Sequence, residues 1–569
     1  MTRRFLPVDR DQPAFLPLNM YDWVPKDHIV WLVTDTVEQL VTPELAVRLA
    51  GGERKSARGR RAYDPVMMAT LLVYAYCCGV LSTRAIEARC RVDATFRLAC
   101  AGLVPDHSTI SRFRQRACRD GLMEELFYAV LRVCAAAGLG RLSVVAGDGV
   151  KIGANASKEA NRTEAGLRKL AAAIMAGAAA ADEPGAAGTG EDLLGGEALP
   201  PGWADPRSRL GRVRACLADF AAQREAAQAA RRAQGQAWLD ARAAGLPVTK
   251  PPAAVALEAA RIGLEQQVAR QQALVDDWDR KRAAGLTTGC KPVPVDRSRR
   301  VARQRDRLER AEAAAAAQQQ QQEKEEAGEP DGAKKKKKKR GSRPVRNVTD
   351  PASALMPVRG GGFKQGYNCQ DAAADDRLML GGFASATSSD TVHAARLEAV
   401  AVKGAQIVAE AHAGPGHDTA GCHARMCTAP DPGDPVHDVA ACHAQMTAAP
   451  GVLVLDAGYC SEANLTAAGL DRLIATGNRL TMGKAAAENP ASGPPPEDAT
   501  AIQQMDHRLR TPEGRAAYKR RSPDIEGLHA SIEDVIGLRR FSMRGLALAT
   551  GEFLLAGLCH NLLLLSRRP

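Results

Sequence analysis

The spacing of apolar residues divides the chain into three textures. Residues 1–140 repeat apolar positions at helical spacing. Asp27 precedes the run His28-Ile29-Val30-Trp31-Leu32-Val33, which predicts an N-cap followed by an apolar face. Asp64-Pro65 opens a second helix, because proline suits the first helical turn. Val66, Met67, Leu71, Leu72 and Tyr74 give that helix its apolar side. Residues 81–102 predict short helices broken by Ser, Asp and Gly. In residues 105–116, Asp106 or Ser108 caps a helix carrying Thr109, Ser111, Arg112 and Arg114 on adjacent turns.

From Leu142 the texture changes to that of a strand, Leu-Ser-Val-Val-Ala-Gly, ending on Asp148. Matching strands come much later, at 366–370 and 378–384. An amphipathic helix follows Asp390 through Val392, Ala395, Leu397, Val400 and Val402. Val452-Leu453-Val454-Leu455 is wholly apolar, as a strand in the middle of a sheet is, and Asp456 ends it. A three-stranded meander, a helix and a central parallel strand therefore surround two aspartates. That is the order of a ribonuclease-H-like core, an α/β fold.

Residues 158–345 do not fit that core. They are rich in Ala, Arg, Gln and Glu and predict three long helices, near 209–244, 254–282 and 297–326, with Gly- and Pro-rich breaks between them. Helical hairpins or a coiled-coil arm are expected. Gln318 to Gln322 and the lysines at 334–339 are low-complexity tracts whose composition predicts no packed structure. The lysine run suits DNA by counterion release, or is a solvated tail of the arm. The division expected is 1–140 as a helical domain, 141–157 as the first part of the core, 158–345 as the inserted arm, and 346–569 as the rest of the core with a C-terminal helix.

Composition narrows the partners. The chain has 569 residues and a net charge of +12, which favours a polyanion. Aromatics are 4%, too few for a stacking platform on single strands. The 14 cysteines include no CxxC pair and follow no leader, so they read as reduced thiols of a cytoplasmic protein. The stretch Leu546 to Leu565 is strongly apolar but holds Glu552, His560 and Asn561, so it reads as a buried helix and not a membrane span. A short repeat gives His417, Cys422 and His423, then His437, Cys442 and His443. Those residue types ligate zinc, but the spacing fits no standard zinc module, and a tandem duplication also explains it.

Three acids stand in distinctive settings. Asp148 and Asp456 end apolar runs, and Glu526 lies in the basic helical stretch Tyr518-Lys519-Arg520-Arg521-Ser522-Pro523-Asp524-Ile525-Glu526. Carboxylates are hard, anionic and able to bridge two ions, so the set suits two Mg²⁺ or Mn²⁺ ions. Asp371, Asp375, Asp376 and Asp390 read as surface charges or caps, with Asp390 the best substitute for one of the three.

These words together resemble bacterial insertion-sequence transposases of the DDE type, closest to the branch named after insertion sequence 1182. Residues 5–40 are similar to that branch's opening. Residues 61–93 and the segment Pro105-Asp106-His107-Ser108-Thr109-Ile110-Ser111-Arg112 are similar to its helical DNA-binding domain with a helix-turn-helix-like segment. Gly147-Asp148-Gly149-Val150-Lys151-Ile152, residues 347–372, Leu455-Asp456-Ala457-Gly458-Tyr459 and the Tyr-x-x-Arg…Glu block at 518–526 follow in the family's order. The resemblance covers about 1–160 and 345–569 and leaves the arm unexplained.

The resemblance implies that Asp148, Asp456 and Glu526 are the catalytic, metal-binding triad. It implies that Ser108, Thr109, Ser111, Arg112, Arg114, Tyr518, Lys519 and Arg521 contact DNA. Double-stranded DNA is the expected partner, as terminal inverted repeats and target, with a homodimer to pair two ends and no membrane. The implied reaction is metal-dependent strand cleavage and strand transfer. A nuclease without transfer, or a non-catalytic DNA-binding protein, stays open beside it. One departure stands out: the lysine usual seven residues after the glutamate is Glu533 here.

Overall fold

The computed structural model describes residues 19–51, 62–181, 209–286, 289–327, 344–358, 361–413 and 451–568. The chain forms two compact units, one of Met1–Asn161 with Asn347–Pro569 and one of Arg162–Arg346.

The first unit opens with helices α1 (Ile29–Leu40), α2 (Pro43–Ala50), α3 (Pro65–Cys77), α4 (Thr83–Val92), α5 (Ala94–Ala99), α6 (His107–Arg119) and α7 (Leu122–Ala136). Caps set several of the starts. Asp64 Oδ1 accepts from Met67 N at 2.9 Å with Pro65 beginning the helix. Asp106, and not Ser108, caps α6. α1 starts one residue later than expected: the cap is His28, whose Nδ1 accepts from Val30 N at 3.2 Å, and Asp27 precedes it. α3 is apolar all round, and every residue from Met68 to Cys77 is buried, so it is the central helix of this bundle.

The second unit holds α8 (Glu164–Ala181), α9 (Arg209–Ala243), α10 (Ala253–Ala283) and α11 (Arg299–Ala327). α10 packs on both α9 and α11. Gln318 to Gln322 lie inside α11, contrary to the expectation from their composition. Glutamine is a good helix former, and here it continues an alanine run that is already helical. The lysines at 334–339 and the repeat holding His417, Cys422, His423, His437, Cys442 and His443 lie outside the described residues.

The sheet belongs to the first unit. Its strands are β1 (Val145–Gly153), β2 (Ala354–Pro357), β3 (Phe363–Ala374), β4 (Met379–Ser385), β5 (Leu453–Leu455) and β6 (Arg472–Ile474). β1 pairs antiparallel with β3, from Val145 opposite Ala374 to Gly153 opposite Gly366. The far edge of β3 takes β2 and β4, both antiparallel. The other edge of β1 takes β5 in parallel, and β5 takes β6 in parallel. The ladder with the long β3 carries β1 on to Gly153, so Asp148 lies inside a strand and not at its end. Backbones meet closely at Gly366, where a Cβ would collide with the Ile152 carbonyl.

Helices then cover both faces: α12 (Ala394–Ala413), α13 (Glu462–Thr466), α14 (Arg479–Glu488), α15 (Ala501–Arg510), α16 (Pro512–Ala530) and α17 (Leu546–Leu565). α12 rests on β4 at Gly404, where any Cβ would strike Leu380. α16 lies across β1, β3 and β5. α17 is long and apolar enough to cross a membrane, yet 72% of its apolar window is buried inside this unit. Its polar residues are satisfied there. Glu552 accepts from Tyr76 Oη at 2.8 Å and from Ser542 Oγ at 2.6 Å. Asn561 donates to Met379 O and accepts from Met379 N, continuing the edge of β4. His560 donates from Nε2 to Arg377 O and accepts at Nδ1 from Ser531 Oγ, both at 2.8 Å. Burial pushes the His560 imidazole down to about 4.

Candidate functional site

Register brings two of the predicted acids side by side. Val145 pairs with Leu453 and Ala146 with Val454 on the parallel strands β1 and β5. Asp148 and Asp456 each stand three residues beyond the first of those pairs, at one level of the sheet. Neighbouring strands run about 4.8 Å apart, so the two carboxylates share a small volume. Their electrostatics agree. Burial first, and then the charge of Asp148, raise the Asp456 carboxyl above the usual carboxylate range. Asp456 Oδ1 also accepts from Gly458 N at 2.8 Å, capping the turn that follows β5.

α16 faces these acids. Arg521 Nη2 lies 2.5 Å from Asp148 Oδ2, and the side chains are 10% and 21% exposed, so this pair is sheltered from screening. Arg521 is thus a partner of the aspartate and not an open phosphate ligand in this structure. Two turns along, His529 Nε2 meets Asp371 Oδ1 at 2.8 Å. Asp371 is directly opposite Asp148 in the β1–β3 register and is fully buried. Burial opposes a charged imidazole at His529, but the charge and hydrogen bond of Asp371, joined by the charges of Asp148 and Glu533, together raise it above its usual value. Asp371 was expected as a surface charge or a cap. A period-two reading of β3 could have found it, because an acid alternating with buried strand positions needs a partner.

Glu526 sits on the same helix, five residues and about 7.5 Å of rise beyond Arg521. It is exposed and makes no hydrogen bond or ion pair among the described residues. No group of three or more His, Cys, Asp or Glu side chains among them is arranged to hold a metal ion. The structure therefore joins Asp148 to Asp456 and leaves Glu526 exposed on α16. Glu533 lies in a π-helical turn after α16, close enough to His529 to favour its charged form.

Asp390 approaches from the opposite side. Its Oδ1 accepts from Asn368 Nδ2 at 2.7 Å and Gln370 Nε2 at 2.8 Å. Gln370 pairs with Gly149, the residue after Asp148, and successive strand residues point to opposite faces. A Cβ at Gly458 would lie 2.9 Å from Asp456 Oδ1 and 3.0 Å from Asp390 Oδ2, so glycine there leaves room between two carboxylates. Asp375, likewise expected as a surface charge or a cap, has a side chain only 2% exposed and takes Arg520 and Ser143 as partners. Asp376 accepts from Gly140 N at 2.8 Å. Tyr518 is half-buried against the cluster of Val144, Val452, Val454, Leu473 and Leu509, and Lys519 is exposed.

The predicted helix contacts separate in the same way. Arg112 is exposed at the start of α6, with Nη2 3.1 Å from Ser108 Oγ. The hydroxyls of Ser108 and Thr109 donate to the capping carboxylate of Asp106, and Ser111 accepts from Gln115. Arg114 is 4% exposed and donates to Tyr76 Oη at 3.0 Å and Leu81 O at 2.8 Å. It belongs to the buried chain Arg114–Tyr76–Glu552 and cannot reach DNA, a correction to its expected role. Its place on the inner side of α6, beside Ile110 and Phe113, is the reason.

Comparison with known families meets this geometry at both ends. Residues 18–116 match the family described as Transposase domain (DUF772), and residues 496–565 match Transposase DDE domain. Both matches are to transposase domains. They support a transposase of the DDE type, a DNA-cleaving class of enzyme. The matched segments pack together, for the Tyr76–Glu552 bond joins α3 to α17. No curated protein and no solved structure matches the chain.

Proposed function

We propose that the chain is an insertion-sequence transposase of the branch named after insertion sequence 1182, cutting DNA strands at its element's ends and joining them to a target. The observation that carries this reading is the common level of Asp148 and Asp456 on adjacent parallel strands. The strand order β4-β3-β1-β5-β6, antiparallel and then parallel, is the order expected of a ribonuclease-H-like core.

Asp148, Asp456 and Glu526 would hold divalent metal, Mg²⁺ or Mn²⁺. Only oxygen donors are offered, and the two aspartates lie close enough for one to raise the other's pKa, a repulsion that a cation relieves. Bound metal supplies Lewis-acid charge for displacement at phosphorus. Glu526 is assigned as the third carboxylate because α16, which carries it, covers the face that bears Asp148; Asp390, whose Oδ1 is held by Asn368 and Gln370 while its Oδ2 lies beside Gly458 near Asp456, is the alternative. Arg521 neutralises Asp148 and anchors α16 beside it. Ser108, Thr109, Ser111 and Arg112 at the start of α6, and Lys519 on α16, would meet DNA, with Tyr518 flanking the cleavage point.

The test uses the full chain with duplex DNA carrying its element ends. Asp148→Ala and Asp456→Ala should each cut at least ~100-fold more slowly while retaining the DNA, and Mg²⁺ or Mn²⁺ should raise the wild-type melting temperature. Undiminished cutting by either variant removes the assignment. Strand transfer from pre-cut ends separates a transposase from a nuclease.

A further inference from the structure

The last described helix of the unit Arg162–Arg346 carries charges that oppose its own folding. α11 begins Arg299-Arg300 and continues through Arg303, Arg305, Arg307 and Arg310. At about 100° per residue, Arg299, Arg300, Arg303, Arg307 and Arg310 fall within roughly 100° of one another around the axis. Val301 is buried, and Gln304 reaches towards Gly263 of α10, so the packed face is elsewhere. Asp306 borders the stripe, about 20° from Arg299, whereas Glu309 and Glu312 lie on the far flank, and Glu312 turns to Arg261 of α10 at 3.8 Å.

The five arginines of the stripe are exposed. Among the described residues Arg299, Arg300, Arg303 and Arg307 form no ion pair, and Arg310 Nε donates only to the Asp306 carbonyl. Arg299 with Arg303, and Arg303 with Arg307, are like charges one turn apart. Arg300 with Arg303, and Arg307 with Arg310, repeat the conflict at three residues. Two cations in the first turn also oppose the helix dipole. A helix selected only for its own stability would place more of its acids among these cations; Asp306 alone borders them, three residues from Arg303 and four from Arg310. The segregation is accounted for if a polyanion lies along the stripe.

We propose that this arginine stripe on α11 is a docking surface for the sugar-phosphate backbone of duplex DNA. From Arg300 to Arg310 the stripe rises about 15 Å in a straight line, long enough to follow a short run of phosphates on the duplex backbone. Guanidinium forks suit phosphate oxygens. α11 has no aromatic residue, so it offers no platform for unstacked bases, and duplex is favoured over single strands. The choice of DNA among polyanions rests on the reading of the chain as a transposase. The contact is to backbone and carries no sequence preference.

The test is binding of a random-sequence duplex by the full chain, without divalent metal and without element ends, so that it does not depend on cleavage. The triple variant Arg300→Gln/Arg303→Gln/Arg307→Gln should bind on the order of 100-fold more weakly at 150 mM salt. Its log affinity should fall less steeply with log salt, by about 0.9 per phosphate contact removed. The Arg→Lys triple should stay within a few-fold of wild type. In unaltered protein, duplex should shield Arg300, Arg303 and Arg307 from an arginine-modifying dicarbonyl, read by mass spectrometry, which keeps the test sound if a variant misfolds. Unchanged affinity and salt slope in a folded Gln triple, absent shielding, or tighter binding of single-stranded RNA of equal length would each overturn the proposal. Intact binding with no cutting by any form would instead remove the catalytic reading.

Discussion

Arg521 reaches Asp148 across 2.5 Å and ties helix α16 to the middle of strand β1. Because both groups are largely sheltered, removing one leaves the other charged and poorly hydrated. Arg521→Ala should therefore destabilise the unit by about 3 kcal/mol, read by urea denaturation. Arg521→Lys keeps the charge but not the fork, and should recover part of that loss. Full stability in the alanine variant would mean that the pair contributes nothing in solution.

Glu526 and Asp390 compete for the role of third carboxylate and should separate cleanly. Glu526 is exposed and without a partner among the described residues, so Glu526→Gln should shift stability by less than about 0.5 kcal/mol while slowing cleavage at least ~100-fold. Asp390→Ala removes the acceptor of two part-buried amides, Asn368 and Gln370, and should cost about 2 kcal/mol. A Glu526→Gln enzyme that cuts normally would transfer the role to Asp390 or end the three-acid scheme.

Arg112 and Arg114 lie two residues apart on α6 and should behave as opposites. Arg112→Ala should leave the melting temperature within a degree or two and weaken DNA binding, with a salt slope lower by about 0.9. Arg114→Ala leaves Tyr76 and Glu552 without their cation and should lose about 3 kcal/mol or more. If Arg114→Ala instead weakens DNA binding at unchanged stability, its placement in the core is wrong.

His560 sets an acid limit. Its folded value of about 4 lies below the ordinary 6.5, so between those values the unfolded chain binds more protons than the folded one. Stability is present in full above about 6.5 and is lost as the pH falls through 4, by up to about 3 kcal/mol. Melting temperatures from pH 7 to 4 should fall less steeply in His560→Gln than in wild type. Parallel slopes would show that other groups govern the acid transition.

Much was legible in the chain because local physics wrote it. Asp64-Pro65 ahead of an apolar helical run marked a helix start, and the helix after Asp390 and the apolar strand before Asp456 announced themselves by spacing. Cap competition was less decided: His28 took a role expected of Asp27, since the side chain nearer the first free amide wins. Asp371 and Arg114 were misread for one shared reason. A charged residue reads as exposed until its partner is known, and His529 and Glu552 lie 158 and 438 positions away in sequence.

The sequence by itself determined many of the helices, four of the six strands, the long helical insertion after β1, and the residue types able to bind metal and phosphate, because periodicity, caps and side-chain chemistry act over a few residues; β2 and β6 were too short to be read. Tertiary structure alone decided that Asp148 and Asp456 share one level of the sheet, that Arg521 neutralises the first of them, and that Glu526 stays in solvent. Those outcomes depend on strand register and on which face of α16 meets the sheet. Both are settled by burial summed over the whole unit, which no short stretch of sequence encodes.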